Sequence, residues 1–191
     1  MKLAHQFFTG VVAVALVCGM AHAQTRDDLL NDGKNTENVT TQSMGYDRKS
    51  YSPLKQIDRG NVKNLRVAWS WSLPPGPNTA PPLVHDGVMF LPNPGDLIQA
   101  LDAATGDLLW DFKRQMPEGF RGGNGNTTRT LALWGKSVID LSADDFVYGV
   151  NIDTGKLAWE TRVLDYREDS GTQSGGPIVA GGKIFSTRAC R

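Results

Sequence analysis

The sequence predicts an all-β protein built from repeated four-stranded antiparallel sheets, and two observations support this prediction. The phrase ALDAATGDLLW at residues 100–110 returns 49 positions later as GVNIDTGKLAW at residues 149–159. Around each copy, short apolar runs rich in β-branched and aromatic residues alternate with turn-forming residues. A repeat of this length made of four short strands is typical of a β-propeller blade, because one such sheet cannot bury both of its faces alone.

The first residues, MKLAHQFFTGVVAVALVCGMAHAQ, have the pattern of a secretory leader. Lys2 precedes an apolar stretch at residues 10–20, which is too short to span a membrane. Ala-His-Ala at residues 21–23 is a small-residue cleavage pattern. We therefore expect residues 1–23 to be a signal peptide that is cleaved after Ala23, and the rest of the chain to be exported.

The charge balance excludes partners that are selected by bulk charge, and the cysteine content is unusual for an exported chain. With 20 Lys and Arg against 20 Asp and Glu in 191 residues, the sequence offers no electrostatic footprint for nucleic acid or anionic membrane. Cleavage would remove Cys18 and leave Cys190. A leftover cysteine in an oxidising compartment indicates a missing partner, which we expect beyond Arg191.

The chain divides at about residue 65 into a polar arm and a β-rich region. Residues 24–65 are rich in turn formers with one weak helical start at Asp58, and we interpret them as an arm lying on the propeller region, residues 66–191. That region opens with RVAWSWSL, which alternates as a strand does, and PPLVHDGVMFL, which indicates a hairpin. DLIQALDAATGDLLWDFKR indicates a second hairpin, whose turn uses the positive φ available to Gly106.

A second unit repeats the first, and a third one begins. In TLALWGKSVIDLSADDFVYGVNIDTGKLAWETRV, Asp145 stands where Asp96 stood, and GGPIVAGGKIFS then repeats the opening hairpin. We expect two blades and the start of a third, with Trp110 and Trp159 each packing on an adjacent blade because a large aromatic buries much area in a fixed orientation. An immunoglobulin-like sandwich is the alternative fold, but it would not place matching turns and tryptophans at a fixed offset.

The repeat phrase, together with SPLKQIDRGNVKNLRVAWSWSL ahead of the first blade, resembles the pyrroloquinoline-quinone (PQQ) dependent alcohol dehydrogenases. The resemblance implies an eight-bladed periplasmic propeller whose axial funnel holds PQQ and calcium. It implies oxidation of alcohols, with an Asp as the base, and transfer of the electrons to a cytochrome c or a quinone. It also implies that this chain corresponds to the N-terminal third of such an enzyme.

The resemblance assigns three cofactor-binding residues to this chain. Arg129, in TTRTLALW, matches an arginine that hydrogen-bonds the quinone, and Ser174, in TQSGGPIV, matches a Ser or Thr that contacts the cofactor. Thr79, in NTAPPLV, stands at or beside a family glutamate. The family's vicinal cysteines are replaced by GGNGNTT, and a calcium-ligating Glu is absent from Ala189–Arg191. No catalytic or metal residue is assigned here, so the isolated chain is expected to be inactive.

Two other functions fit the same sequence. A non-catalytic propeller that binds protein partners would carry the same repeat, and a truncated, inactive remnant of the enzyme would carry both the repeat and the entry segment. Of the remaining polar residues, we interpret Asp144 and Asp145 as solvent-facing acids of a turn, and His85 as a polar turn residue rather than a metal ligand.

Overall fold

A computed structural model describes residues 23–35, 37–120, 130–168 and 175–187. The helical elements are short: helix α1 spans Arg26–Leu30, and two 3-10 turns span Asp32–Lys34 and Val62–Asn64. The strands are β1 Leu83–His85, β2 Val88–Asn93, β3 Leu97–Asp102, β4 Leu108–Lys113, β5 Ala132–Trp134, β6 Ser137–Leu141, β7 Phe146–Asn151, β8 Leu157–Arg162, β9 Ile178–Ala180 and β10 Lys183–Phe185.

The strands form two complete four-stranded antiparallel sheets and one hairpin. Blade one has the order β1-β2-β3-β4, blade two has the order β5-β6-β7-β8, and β9 pairs with β10 at the start of a third unit. Each unit is a simple meander in which neighbouring strands are consecutive in sequence. The predicted two blades and the start of a third are therefore confirmed.

The repeated phrase forms the turn between the last two strands of each blade. In blade one, the carboxylate of Asp102 accepts hydrogen bonds from the backbone N–H groups of Ala104 (2.8 Å) and Thr105 (2.9 Å). Gly106 follows with a φ of +79°, and its N–H donates to the Asp102 carbonyl at 2.8 Å. These bonds lower the pKa of Asp102 below its ordinary value. Blade two repeats the turn with Asn151 as the acceptor.

Trp110 connects the two blades. Its indole N–H donates to the carbonyl of Ile152 in blade two at 2.9 Å. The ring lies on Gly155, where an added β-carbon would be 2.8 Å from Cγ and Cδ2 of the indole. A register shift between Ala100 and Leu101 marks a bulge beside Trp110, and the equivalent shift in blade two lies beside Trp159. The predicted docking of Trp110 on an adjacent blade is thus confirmed.

Trp159 does not make the equivalent contact, because the described part of the third unit, residues 175–187, contains no matching turn. Its ring lies over Gly149 of its own blade, and its N–H donates to the Ser137 hydroxyl at 3.4 Å. The expectation that Trp159 packs on the turn of a following blade is not met within the described residues.

Residues 66–73 also differ from the sequence prediction. The alternating segment is not a strand, because no other described strand lies beside it to complete a ladder. It still docks through its tryptophans. The indole N–H of Trp69 donates to the carbonyl of Ala103 at 3.1 Å, and its ring lies on Gly106. Val67 is left 85% exposed.

Two apolar clusters hold the blades. The first fills the space between them with side chains from both sheets: Leu83, Phe90, Ile98, Ala100, Leu131, Leu133, Val138, Tyr148, Val150 and Ile152. The second lies on the opposite face of blade two, where α1 and the third hairpin cover it: Leu29, Ala132, Ile139, Leu141, Val147 and Val179. Neighbouring residues of β6 and β7 belong to different clusters: Val138 and Tyr148 to the first, Ile139 and Val147 to the second. Blade two is therefore buried on both faces.

Residues 24–50 pack on the sheets by backbone pairing. Val39 and Val84 exchange two hydrogen bonds of 2.8 Å, and Gln24 pairs in the same way with Gly135. Helix α1 begins after a Thr25 capping box. The buried carboxylate of Asp32 then accepts four hydrogen bonds from the backbone and hydroxyl groups of Thr40 and Thr41, at 2.5 to 2.9 Å.

Candidate functional site

The three predicted cofactor residues share one position in the repeat, just upstream of the first strand of a unit. Thr79 precedes β1, Arg129 precedes β5, and Ser174 precedes β9. Because the units repeat, the described first strands β1, β5 and β9 begin at the same end of the blades. The β2–β3 and β6–β7 turns lie at that end too, since antiparallel strands return there. We call this end, with residues 93–97 and 141–146 as its turns, the site face.

Of the three residues, the structure describes Thr79. Thr79 is exposed at the rim of blade one, beside Asn78, whose amide donates to the carbonyl of Pro92 at 3.1 Å. Arg129 and Ser174 lie outside the described residues. Their chain neighbours do meet: an added β-carbon on Gly176 would lie 2.6 Å from the carbonyl oxygen of Thr130. This close approach requires glycine between the first strands of blade two and the third unit.

A cavity of about 220 Å³ opens beside Thr130 and Gly176. Its walls are β5, β9 and the loop of residues 40–48, and the lining combines aliphatic side chains with the hydroxyls of Thr40, Thr41 and Tyr46. Tyr46 donates its hydroxyl to the carbonyl of Val179, which ties the loop to the third unit. Among the described lining residues, Arg48 is the single cation.

A buried ion pair joins the blades at the site face. Arg114 follows β4, and its guanidinium donates to both carboxylate oxygens of Asp144 in blade two, at 2.8 and 3.0 Å. It also donates to Glu160 of β8 at 2.6 Å. Arg114 and Asp144 are 8% and 3% exposed. The ring of Phe146 lies 4.5 Å from the guanidinium, so one cation holds a turn, a strand and an aromatic face together.

The interpretation of Asp144 and Asp145 as solvent-facing acids was wrong, since Asp145 is only 1% exposed. Burial alone would raise the pKa of Asp144, but its hydrogen bonds with Arg114 and Ser142 outweigh this effect and lower it below the ordinary value. Burial lowers the pKa of Arg114, but its hydrogen bonds with Asp144 and Glu160 outweigh this effect and raise it. His85 is likewise only 4% exposed, at the end of β1, so it is a buried residue rather than a surface turn residue.

Two further buried acids lie next to this ion pair. Burial raises the pKa of Asp96 to about 6, against a hydrogen bond from the Ala143 N–H at 3.1 Å. Burial and the nearby Asp96 charge raise the pKa of Asp140 to about 8. Asp140 accepts a hydrogen bond from the hydroxyl of Tyr148 at 3.0 Å, and burial, together with Asp140, raises the pKa of that tyrosine too. Sequence reasoning missed Asp140 because its strand pattern is otherwise apolar.

The described residues do not by themselves make a site for a quinone or a metal ion. No group of three or more His, Cys, Asp or Glu side chains in the described part of the chain can hold a metal. The acids of the site face are already used by Arg114, Tyr148 and backbone N–H groups. A polycarboxylate cofactor needs several cations, and the cavity lining offers Arg48 alone. Within the described residues, no helix is long and apolar enough to cross a membrane.

The fold and site define a propeller whose neighbouring blades are connected by tryptophan docking and by a buried ion pair. Residues 41–160 match the family described as glucose/ethanol/alcohol dehydrogenase, beta-propeller domain. The chain belongs to this PQQ family, which confirms the resemblance seen in the sequence. Members of the family depend on PQQ and a metal ion.

Individual relatives agree with the family assignment. The chain is 33% identical over 180 residues to a quinoprotein alcohol dehydrogenase of Pseudomonas putida, PedH, covering 92% of this chain and 30% of that protein. The structure is similar to that of the quinohemoprotein alcohol dehydrogenase ADHIIG from Pseudomonas putida HK5, with a TM-score of 0.77 and 30% identity over 88% of this chain and 25% of the other. A europium-containing methanol dehydrogenase, at 23% identity and a TM-score of 0.77, shares the fold. The chain therefore spans about a third or less of the length of these relatives.

Proposed function

We propose that this chain forms the first blades of a PQQ-dependent alcohol dehydrogenase that works in the periplasm. In this proposal, residues 1–23 direct export and are removed, residues 24–65 form the arm, and residues 66–191 begin the propeller. The enzyme oxidises an alcohol with PQQ and calcium and passes the electrons to a cytochrome c or a quinone. The observation that carries the proposal is the match of residues 41–160 to the propeller domain of this family. In the sequence, Thr79, Arg129 and Ser174 each stand three or four positions before the first strand of a unit.

Each of these residues has a binding role that fits its chemistry. The guanidinium of Arg129 suits adjacent anionic oxygens of the quinone, because its planar fork donates two parallel hydrogen bonds. The hydroxyl of Ser174, two positions before Gly176 in the sequence, can donate one more. Thr79 would contribute a neutral hydroxyl at the rim. PQQ, when bound, supplies the two-electron acceptor, and we assign the base and the calcium ligands to other blades.

The ion pair of Arg114 would act on the site indirectly. It holds the β6–β7 turn of blade two against the end of β4 in blade one, at 2.8 Å from Asp144. This fixes the angle between the blades and hence the separation of their first strands. A cofactor held between several blades needs such fixed positions, because small displacements of binding groups weaken the alignment of the reacting atoms.

A segment exchange tests the proposed function. Residues 66–187 replace the aligned segment of the Pseudomonas putida ADHIIG enzyme, and alcohol-dependent dye reduction is measured with PQQ and calcium supplied. We expect the chimera to reduce the dye, and Arg129→Ala to lower its rate about 10- to 100-fold, as removal of a charged hydrogen bond implies. Arg66→Ala, which changes an exposed arginine bound only to local carbonyls, is the matched control.

The outcome separates the enzyme from the scaffold alternative. A chimera that unfolds cooperatively like the parent but reduces no dye would favour a propeller that binds partners instead. Equal rates for Arg129→Ala and Arg66→Ala would remove Arg129 from the cofactor site. The isolated chain, given PQQ and calcium, should show no alcohol-dependent dye reduction above a protein-free control, because the described residues supply no metal cage.

A further inference from the structure

Residues 66–73 dock on blade one in the same way as β4 docks on blade two. The indole N–H of Trp69 donates to the carbonyl of Ala103 at 3.1 Å. The indole N–H of Trp110, in β4, donates to the carbonyl of Ile152 at 2.9 Å. The two acceptors are 49 positions apart, which is the spacing of the repeat. Trp69 therefore has the same relation to blade one as Trp110 has to blade two.

A second pair of contacts gives the same correspondence. The indole N–H of Trp71 donates to the side-chain oxygen of Gln99 in β3 at 3.2 Å. Two residues after Trp110, the ring of Phe112 lies 5.7 Å from the ring of Tyr148 in β7. Gln99 and Tyr148 are again 49 positions apart. Two side chains, and not one tryptophan alone, thus place the segment where the fourth strand of a blade lies.

The sequence and the exposure of the segment agree with this position. VAW at residues 67–69 corresponds to LLW at residues 108–110 and LAW at residues 157–159, which begin β4 and β8. Val67 is 85% exposed, whereas the leucines at its position in β4 and β8 are 44% and 43% exposed. In blades one and two, a third strand lies beside the fourth. The extra exposure of Val67 is therefore the surface that such a strand would cover.

We infer that residues 66–73 are the fourth strand of a blade whose other three strands belong to a later repeat unit of the complete protein. An extended segment without a neighbour presents backbone N–H and carbonyl groups that an added strand can pair with. The chain spans 30% of the length of PedH, so most units of the proposed protein follow it. The inference rests on the proposed place of this chain at the start of a longer propeller, and not on its chemistry.

Blades one and two indicate what the partner strand must look like. Ala100 lies opposite Trp110, and Gly149 lies opposite Trp159. At Gly149, an added β-carbon would overlap the indole ring, which leaves no room for a longer side chain. The strand that pairs with residues 66–73 should therefore carry glycine or alanine opposite Trp69.

A second copy of this chain does not offer such a strand within its described residues. The third strands of blades one and two, β3 and β7, are each paired on both sides within their own sheets. In the third unit, the structure describes the first hairpin, β9 and β10. We therefore assign the partner strand to a later unit of the same protein.

Hydrogen exchange of residues 66–73 tests the inference. Exchange is followed by mass spectrometry in the 191-residue chain and in the chimera with the ADHIIG enzyme, which supplies the later units. In the chain alone, these residues should exchange rapidly, because no described strand pairs with them. In the chimera, their exchange should be at least about 100-fold slower. Residues 108–113, whose partner β3 is present in both proteins, are the control and should exchange slowly in both.

The outcomes separate this inference from the proposed function. Rapid exchange of residues 66–73 in a chimera that protects residues 108–113 would overturn the inference, whatever the rate of dye reduction. Slow exchange in a chimera that reduces no dye would support the strand pairing and count against the enzyme. Protection that appears in the chain alone and is lost on dilution would overturn the assignment and give the surface to a second copy.

An insertion within the chain provides a second measurement that needs no other protein. A copy of residues 83–107, the first three strands of blade one and the turn that follows them, is placed between Arg66 and Val67. The exchange of residues 67–73 should slow at least about 100-fold relative to the unmodified chain. The same insertion with Ala100→Leu in the copy is the matched control, and it should not give this protection, because leucine opposite Trp69 overlaps the ring. Equal, rapid exchange in both insertion variants, with residues 108–113 protected, would contradict the inference.

Discussion

The docking of Trp110 on Gly155 makes a prediction that one β-carbon can test. At Gly155, an added methyl group would lie 2.8 to 2.9 Å from three atoms of the tryptophan, closer than carbon atoms normally approach. The substitution Gly155→Ala should therefore displace the indole and weaken its bond to Ile152. Gly155 also has a φ of +67°, so alanine there is strained even without the ring.

Gly87→Ala separates these two effects. Gly87 has a φ of +75° in the first hairpin turn of blade one, and an added β-carbon there would meet nothing within 4 Å. The Gly87→Ala variant should lose about 1–2 kcal/mol of the free energy of unfolding, because alanine is strained in the left-handed conformation. Gly155→Ala should lose this amount and about 1–3 kcal/mol more, from overpacking against the ring.

Urea unfolding followed by circular dichroism measures both variants, and the difference between them isolates the docking contact. A double-mutant cycle with Trp110→Phe should reduce the extra loss at Gly155 and leave the loss at Gly87 unchanged. If Gly155→Ala and Gly87→Ala lose the same free energy, the indole does not restrain the adjacent turn, and the docking argument fails.

Three further predictions concern the buried polar groups. Arg114→Met should lower the free energy of unfolding, measured in urea, by about 3–5 kcal/mol, because Asp144 stays buried without its cation. Adding Asp144→Asn should recover part of this loss. If the losses of the two single variants simply add in the double variant, the two residues are not paired. The pKa values of Asp96 and Asp140 are raised to about 6 and about 8, so the folded state binds more protons than the unfolded state, and stability should fall as pH rises from about 4 to about 8. Asp140→Asn should flatten this decline, and an unchanged pH profile would exclude Asp140 as its source. Asp32→Ala should free residues 37–50 to exchange their amide protons faster, as hydrogen exchange would show, while the protection of β6 and β7 stays as it was.

The repeat predicted the blades because its residues act locally. Asp102 or Asn151, followed by Thr-Gly, makes the same turn wherever it occurs, since one side-chain oxygen accepts two neighbouring N–H groups and glycine supplies the positive φ. A tryptophan four residues after Gly106 then has its position fixed. This much of the fold is specified within about 50 residues of sequence, and both blades formed as predicted.

The buried ion pair could not be predicted in the same way, because its members are distant in sequence. Asp144 and Asp145 look like a turn pair, and only the position of Arg114, from the preceding blade, shows that one of them is paired and buried. The one sequence signal was the recurrence of an acid at the positions of Asp96 and Asp145. Residues 66–73 were predicted as a strand that the structure does not contain. Their alternating pattern is that of a strand, but a strand needs a neighbouring strand, which the described residues do not provide.

The direction of tryptophan docking bears on how the protein is built during synthesis. Trp69 contacts a carbonyl 34 residues later, and Trp110 contacts one 42 residues later, so each ring is synthesised before the turn that receives it. Every such contact spans less than one repeat. A growing chain can therefore add each blade to the one before it as soon as the next turn appears, whereas the arm must wait longer for its partners, since Gln24 pairs with Gly135 and Tyr46 donates to the carbonyl of Val179.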